Sequence, residues 1–371
     1  MAKMRYFIVR IGGAWGDIII TTPLLRYLKE NGHEVYMLTG KPGQELLKNN
    51  PNVDKIIYYE TNSVPISKLD EFIKSTAQAY ECDQIVNLCE SIEVALALHP
   101  DDPRYNWTKE ERRQLCDKNY YDYTFEKAGF PGITGKRGEL FFDEHEEKKA
   151  RKFFAYIKAD KETRGQISYF IILWGLSGSG RNKTYLYAEK IMNRLLAKYQ
   201  NIKIVTVGDD VCRLLETLQH PRITHLSGLW SMRKSMIAAK YANLVISPDT
   251  GLLHAAGCFS TPKIGLLGHS TITNITKNFI NDCSIEANCK CAPCFRLVYN
   301  AEIQCPAISS VGDNKFDTCE CMSNGLDENR VFNHICKVYE QLNKGTEDRS
   351  TDRSTTESAT EADVSCMSIS R

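Results

Sequence analysis

Short apolar runs separated by amphipathic stretches organise most of the chain. Near the start, "RYFIVRI", "EVYMLT", "VDKIIYYE" and "QIVNL" read as buried strands. Between them, "TTPLLRYLKENG" places Pro23 near a helix start, with apolar spacing at Leu24, Leu25 and Leu28 and Gly32 as a stop. "GQELLKNN" and "SKLDEFIKSTAQAY" supply two further helices. Strand and helix signals in strict alternation predict a parallel sheet covered by helices on both faces.

The pattern loosens between about 93 and 135, where "TKEERRQLCDKNYYDYTFEKAGF" reads as helical and aromatic-rich. "GELFFDEHEEKKARKFFAYIKAD" predicts a short strand and then a charged helix, and "DKETRGQ" an inter-domain link near 160 to 166. Alternation then resumes. "ISYFIILW", "IKIVTVG", "ITHLSG", "NLVISPD" and "PKIGLLG" are strands; "TYLYAEKIMNRLLAKYQ", "DDVCRLLETLQ", "SMRKSMIAAKYA" and "TGLLHAAGCF" are helices. "DENRVFNHICKVYEQLN" closes the folded part as a last helix. The expected organisation is two doubly wound α/β domains, 1–162 and 163–344. The second carries a cysteine-rich segment at 283–322 and a final helix at 326–343. The stretch 345–371 is too poor in large apolar residues to offset the entropy of ordering and reads as a disordered tail.

Composition narrows the class little further. With 371 residues, 42% hydrophobic and 25% charged, the chain is long enough for two cores, and its net charge of +1 offers no global field for nucleic acid. No run approaches the roughly 18 apolar residues of a membrane span, and the first residues show no signal-peptide pattern. A cytoplasmic location is the expectation. Fourteen cysteines is many for that compartment, and eight of them fall between Cys283 and Cys336. In a reducing environment such crowding reads as metal ligation before disulfides. Cys291-x2-Cys294 has metal-ligand spacing, followed by Cys305 and the looser Cys319-x-Cys321. Reduced, partly buried thiols are the alternative.

Two stretches carry candidate chemistry. In "RIGGAWGDIIITTP", Gly12, Gly13 and Gly16 do not make the dinucleotide fingerprint, and the second strand ends without a ribose-binding acid. No G-K-[ST] follows, which excludes a P-loop. The glycines read as a tight strand-to-helix turn, and Asp17 either caps its own helix or faces a cleft as a proton acceptor. In the second block, "LWGLSGSGRNKTY" offers Ser177, Ser179, Arg181 and Lys183 in a loop suited to a diphosphate, with a mobile solvated loop as the alternative. "SPDTGLLHAAG" ends a strand with Asp249 and Thr250 as helix caps, while Gly251 allows close backbone approach to an anion. His254, one turn on, either donates to a phosphate or is a satisfied structural histidine.

In their order and spacing, "RIGGAWGDIIITTPLLRYLK", "GSGRNKTY" and "SPDTGLLHAAGCFSTPKIGLLG" resemble glycosyltransferase family 9, the ADP-heptose heptosyltransferases of lipopolysaccharide core synthesis. The resemblance implies a GT-B architecture: two Rossmann-like domains face across a cleft, and a C-terminal helix crosses back. It implies an inverting transfer of heptose from an ADP-heptose donor to a lipopolysaccharide-like glycan, without a catalytic metal. By the same resemblance Asp17 matches the general base and Lys183 a phosphate-binding lysine. Thr250 and Gly251 match backbone contacts to the diphosphate, and Asp249 and His254 fall within the same motif. Gly12, Gly13, Trp15 and Gly16 form the acceptor-side turn. Ala14 and Trp15 depart from the usual Ser or Leu, and "HSTIT" after "IGLLG" from the usual Gly-Pro-Thr.

The resemblance also picks Cys291, Cys294, Cys305 and Cys321 as four metal ligands, with structural zinc and iron both open. Cys283, Cys289 and Cys319 remain as spares, and Cys336 reads as core. A protein serine as acceptor, or a nucleotide-sugar-binding module without catalysis, are the competing readings. Peripheral contact with the inner membrane face is compatible with the leading one, and nucleic acid is not an expected partner.

Overall fold

The computed structural model describes residues 3–89, 106–159, 168–296, 305, 307–311 and 316–351. The first lobe is built on strands β1 (Arg5–Arg10), β2 (Glu34–Thr39), β3 (Lys55–Tyr58) and β4 (Gln84–Asn87), all parallel, in the order β3-β2-β1-β4. Helices α1 (Trp15–Glu30), α2 (Lys41–Leu46) and α3 (Leu69–Ala79) make the crossovers. Helices α4 (Lys109–Cys116), α5 (Tyr120–Lys127) and α6 (Glu144–Lys158) follow.

The second lobe has six parallel strands: β5 (Phe170–Gly175), β6 (Ile202–Val207), β7 (Ile223–His225), β8 (Leu244–Pro248), β9 (Lys263–Leu267) and β10 (Ile285–Glu286). Their order, β10-β9-β8-β5-β6-β7, is the doubly wound dinucleotide-fold order, with its switch point between β5 and β8. β5 is apolar at every position because both of its faces are covered. Helices α7 (Ala188–Lys198), α8 (Met232–Tyr241), α9 (Gly251–Gly257) and α10 (Ile272–Ile275) surround the sheet. A hairpin of β11 (Ile308–Val311) and β12 (Phe316–Cys319) and then α11 (Glu328–Thr351) complete the described chain. Among the described residues no helix is long and apolar enough to cross a membrane.

Several local expectations are corrected. α1 begins at Trp15, and Pro23 lies inside it rather than near its start. Proline leaves the Ile19 carbonyl without its usual donor, and the Thr22 hydroxyl supplies one at 2.8 Å. The helical stretch after residue 107 divides into α4 and α5, because Asn119 accepts from the Tyr121 and Asp122 amides and starts a new helix. No strand forms at 138–142; instead the Glu139 amide donates to Thr22 Oγ1. "DDVCRLLETLQ" yields only a 3₁₀ turn, Val211–Leu215, since Glu216 turns inward to accept from the hydroxyls of Thr206 and Ser227.

The lobe assignments shift as well. α6 was expected to belong with the first lobe, yet Phe154 and Ile157 pack into the core of the second sheet. α11 continues to Thr351, past the expected end at 343 and into the segment read as tail. Val331, Ile335 and Val338 seat it on the core of the second sheet beside α7. The link expected near 160–166 and the tail from 352 onward lie outside the described residues.

The lobes meet along α1 and α9. A Cβ on Gly16 would stand 2.8 Å from His254 Cδ2, and one on Gly251 would stand 3.0 Å from Trp15 Cβ. Glycine at both positions lets the two helix starts approach this closely. Arg233 of α8 reaches into the other lobe: it pairs with Glu146 and donates to the carbonyls of Glu45, Leu46 and Phe141. A buried guanidinium with this many acceptors fixes orientation as well as distance.

Candidate active site

A cavity of about 450 Å³ opens where the loops after β5, β6 and β8 converge, at the switch point of the second sheet. That is where open α/β sheets bind ligands. Trp15, Ser177, Ser179, Lys183, Asp249, Thr250 and Gly251 all line it, so residues more than 230 apart in sequence share one wall. Ala14 joins Trp15 as the contribution of the first lobe. Gly12, Gly13, Gly16, Asp17 and His254 do not line the cavity.

Asp249 is the electrostatic centre. It is buried, with Lys183 Nζ 3.2 Å from Oδ2, His254 Nε2 3.4 Å from Oδ1 and His269 Nε2 3.7 Å from Oδ2. Burial pushes its carboxyl pKa up, but Lys183, then His254 and His269, more than offset this and hold it far below the usual carboxylate range. Burial and the Lys183 ammonium push His269 down to about 4, so that ring is neutral at pH 7. His254 sits beneath the cavity floor, with Nδ1 3.1 Å from the hydroxyl of Tyr121 on α5. The ring is thus held between Asp249 on its Nε2 side and the Tyr121 hydroxyl on its Nδ1 side. The structural reading of His254 is the one its placement supports.

Thr250 begins α9 in extended conformation without capping it: its hydroxyl lies 2.9 Å from Ser247 Oγ, and Asp249 is engaged by Lys183 and the two imidazoles. The expected side-chain caps are thus turned away, and Thr250, Gly251 and Leu252 line the cavity together with Lys183. Ser177 and Ser179 pair with each other at 3.0 Å on the facing loop. Cationic, hydroxyl and amide donors in this arrangement suit a pyrophosphate.

Asp17 occupies the third position of α1 and reaches back to accept from the Ala14 amide, a capping box in which the carboxylate does the capping. It also stands 3.4 Å from Nη2 of the buried Arg10, whose Nη1 donates to the Leu88 carbonyl. Gly13, at φ +91°, is where a Cβ would collide with both groups. The carboxylate is thus a helix cap, and with 22% of its side chain exposed at the interlobe turn it also meets solvent.

Reasoning from sequence missed Asp209, Asp210, Trp230 and Met232 on the cavity wall. The signal for the acids was present: "VGDD" puts carboxylates just past the second strand of the second domain, the ribose position of dinucleotide folds. Trp230 lies in the loop after β7, and Tyr121 lies in the aromatic-rich helical stretch, neither within a stretch that carried candidate chemistry.

Five thiols, Cys291, Cys294, Cys305, Cys319 and Cys321, line a separate cavity of about 40 Å³ together with Arg112, Asn182 and Arg296. Cys319, expected as a spare, is therefore part of the cluster. Cys289 lies beside it, 3.5 Å from Cys291. Cys336 is core, as expected. Among the described residues, no group of three or more Cys, His, Asp or Glu side chains stands in metal-holding arrangement.

Comparison with known proteins gives a consistent result. The model of glycosyltransferase family 9 (heptosyltransferase) matches residues 72–302. The Escherichia coli ADP-heptose LPS heptosyltransferase II superposes with a TM-score of 0.60 at 13% identity, over 91% of this chain and 99% of that one. A family 9 glycosyltransferase from Veillonella parvula gives 0.59 at 15% identity, over 78% and 89%. The iron-containing dodecameric glycosyltransferase TibC from enterotoxigenic E. coli gives 0.57 at 11%, over 92% and 77%. No curated protein matches in sequence. At these identities the superpositions speak for the fold: two Rossmann-like α/β lobes in the GT-B manner. The family match covers more than half of the chain, and the chain belongs to glycosyltransferase family 9.

Proposed function

We propose that this glycosyltransferase moves a heptose from an ADP-heptose donor to a glycan hydroxyl with inversion. The observation that carries the reading is the cavity at the switch point, where Lys183, Ser177, Ser179 and the Thr250–Gly251 turn surround one diphosphate-sized space. Structural relatives of the same fold carry ADP-heptose in their descriptions, which points to the adenine nucleotide. The carboxylates of Asp209 and Asp210 stand where ribose hydroxyls need acceptors.

In this reading the sugar–phosphate bond breaks through an oxocarbenium-like state, and negative charge accumulates on the leaving ADP. Lys183 and the amides of the 250 turn offset that charge. Asp249 acts at one remove: it holds Lys183 in place and is itself oriented by His254 and Tyr121. Asp17 takes the proton of the incoming hydroxyl as that oxygen attacks the anomeric carbon from the face opposite the diphosphate. Its support is its position at the interlobe turn, adjoining the cavity-lining Ala14 and Trp15. Its capping bond to Ala14 keeps the carboxylate in one orientation.

The cysteine finger belongs to the same proposal as a structural element. Cys291, Cys294, Cys305 and Cys321 all face one small cavity, and thiolates suit zinc or iron. As placed, the side chains are not in ligating positions, so an ion would require them to change rotamer. Its chemistry there is cross-linking of a loop-rich segment, and no step of sugar transfer passes through it.

The test is a transfer assay with ADP-heptose and a lipopolysaccharide-core acceptor. Asp17→Asn is expected to keep donor affinity and to lose at least about a hundredfold in turnover, the usual worth of a positioned base. Turnover within tenfold of wild type removes Asp17 from the role. Transfer only to a polypeptide serine would replace the glycan acceptor, and donor binding without any transfer would favour the non-catalytic module.

A further inference from the structure

The cysteine finger and the anion seat share a wall. In the segment Arg181-Asn182-Lys183-Thr184, the lysine ammonium faces Asp249. The carbonyls on either side of it, those of Arg181 and Thr184, are both approached by the hydroxyl of Thr318 on β12, at 3.2 and 3.4 Å. Asn182 points the other way and lines the thiol cavity. It is buried, and its amide nitrogen has no hydrogen-bond partner, so that nitrogen does not hold the segment in place.

A second clamp supports the segment that carries His269 to Asp249. The Phe295 amide, next to Cys294, donates to the His269 carbonyl at 2.9 Å. A Cβ on Gly268 would meet Met322 Sδ at 2.6 Å and Cys321 Sγ at 3.0 Å. Two of the three chain segments that bring a cation or an imidazole to Asp249, those of Lys183 and His269, are therefore backed by the finger.

We infer that Thr318 is a positioning residue for Lys183, and that the cysteine finger is a working part of the diphosphate seat rather than an appended module. The inference rests on the reading that Lys183 holds the diphosphate. Lys183 sits on a long flexible stem, and its affinity for a pyrophosphate depends on where the backbone launches it. The Lys183 and Thr184 amides already turn the segment onto the Gly180 carbonyl, and the Thr318 hydroxyl, shared between the Arg181 and Thr184 carbonyls, ties that turn to a hairpin more than 130 residues away in sequence.

The experiment is calorimetric titration of ADP into the full chain, with Thr318→Val and Thr318→Ser each made alone and in a Lys183→Ala background. Thr318→Val is expected to weaken ADP about 3- to 10-fold, the range of one lost hydrogen bond. Thr318→Ser, which keeps the hydroxyl, recovers wild-type affinity. In the Lys183→Ala background Thr318→Val has no further effect, an outcome that general loosening of the fold would not give. Unchanged affinity in Thr318→Val, or an equal loss with and without Lys183, overturns the inference while leaving the diphosphate reading intact. A wild type that does not bind ADP overturns that reading first and the inference with it. Should Thr318→Val not fold, the smaller Thr318→Ala carries the same comparison.

Discussion

Asp249→Asn isolates the charge at the centre of the site. The substitution keeps volume and shape but leaves Lys183 and two histidines without their anion. The Lys183–Asp249 distance of 3.2 Å corresponds to a gross attraction of about 5 kcal/mol at an effective dielectric of ~20. Removing one partner of a buried pair typically costs about 3–5 kcal/mol, because the remaining charge stays desolvated. Here Lys183 retains 25% side-chain exposure and can turn toward solvent, so a value just below that range, about 2–3 kcal/mol, is the expectation. For a lobe of this size that is a fall in melting temperature of roughly 5–10 °C.

The pH dependence fixes the sign. The folded pKa of Asp249 is depressed below its ordinary value of 3.8, so its contribution is fully present above about pH 4 and is lost as pH falls through the folded value. The gap between wild type and Asp249→Asn should therefore be constant from pH 5 to 8 and begin to narrow below pH 4. Differential scanning calorimetry at several pH values measures this. Equal melting at pH 7, or a gap that widens on acidification, would refute the reasoning.

Two further outcomes follow from the packing and the thiols. Gly16→Ala drives a Cβ to within 2.8 Å of a His254 ring held in place by Tyr121 and Asp249, and overpacking of this kind costs about 1–3 kcal/mol; denaturant melts should show that loss, while Gly12→Ala, with nothing within 4 Å of its new Cβ, should match wild type. Elemental analysis should find about one zinc or iron per chain, the amount a single four-thiolate site holds, with loss in Cys291→Ser, and a metal-free, folded wild type contradicts the metal assignment.

How much was readable in advance varies with the kind of signal. β2 at Glu34–Thr39 and β5 within "ISYFIILW" were legible because their apolar runs are short, dense and bounded by polar or glycine residues. That Lys183 and the Asp249–Gly251 turn share one cavity was legible as an expectation, since glycine, hydroxyl and cation at a strand end make a pattern suited to phosphate. Pro23 misled because the compensating Thr22 hydroxyl is a three-dimensional fact. The break at Asn119 was readable as a cap, yet the aromatic richness around it suggested continuity. Tyr121 could not be read at all, and His269 was visible only as the first residue of "HSTIT": each matters because the fold delivers it to His254 or Asp249. Asp209 and Asp210 were readable too, since "VGDD" sets two carboxylates just past the second strand of the second domain.

The central claim is that the second lobe holds a diphosphate at Lys183 and the Thr250 turn. Calorimetric titration of ADP into wild type and Lys183→Ala tests it directly. The account predicts one site per chain in the wild type and at least a tenfold weaker one in the variant, the worth of about one charge-assisted hydrogen bond. Equal affinity in the two proteins, or no ADP binding to the wild type, would contradict it.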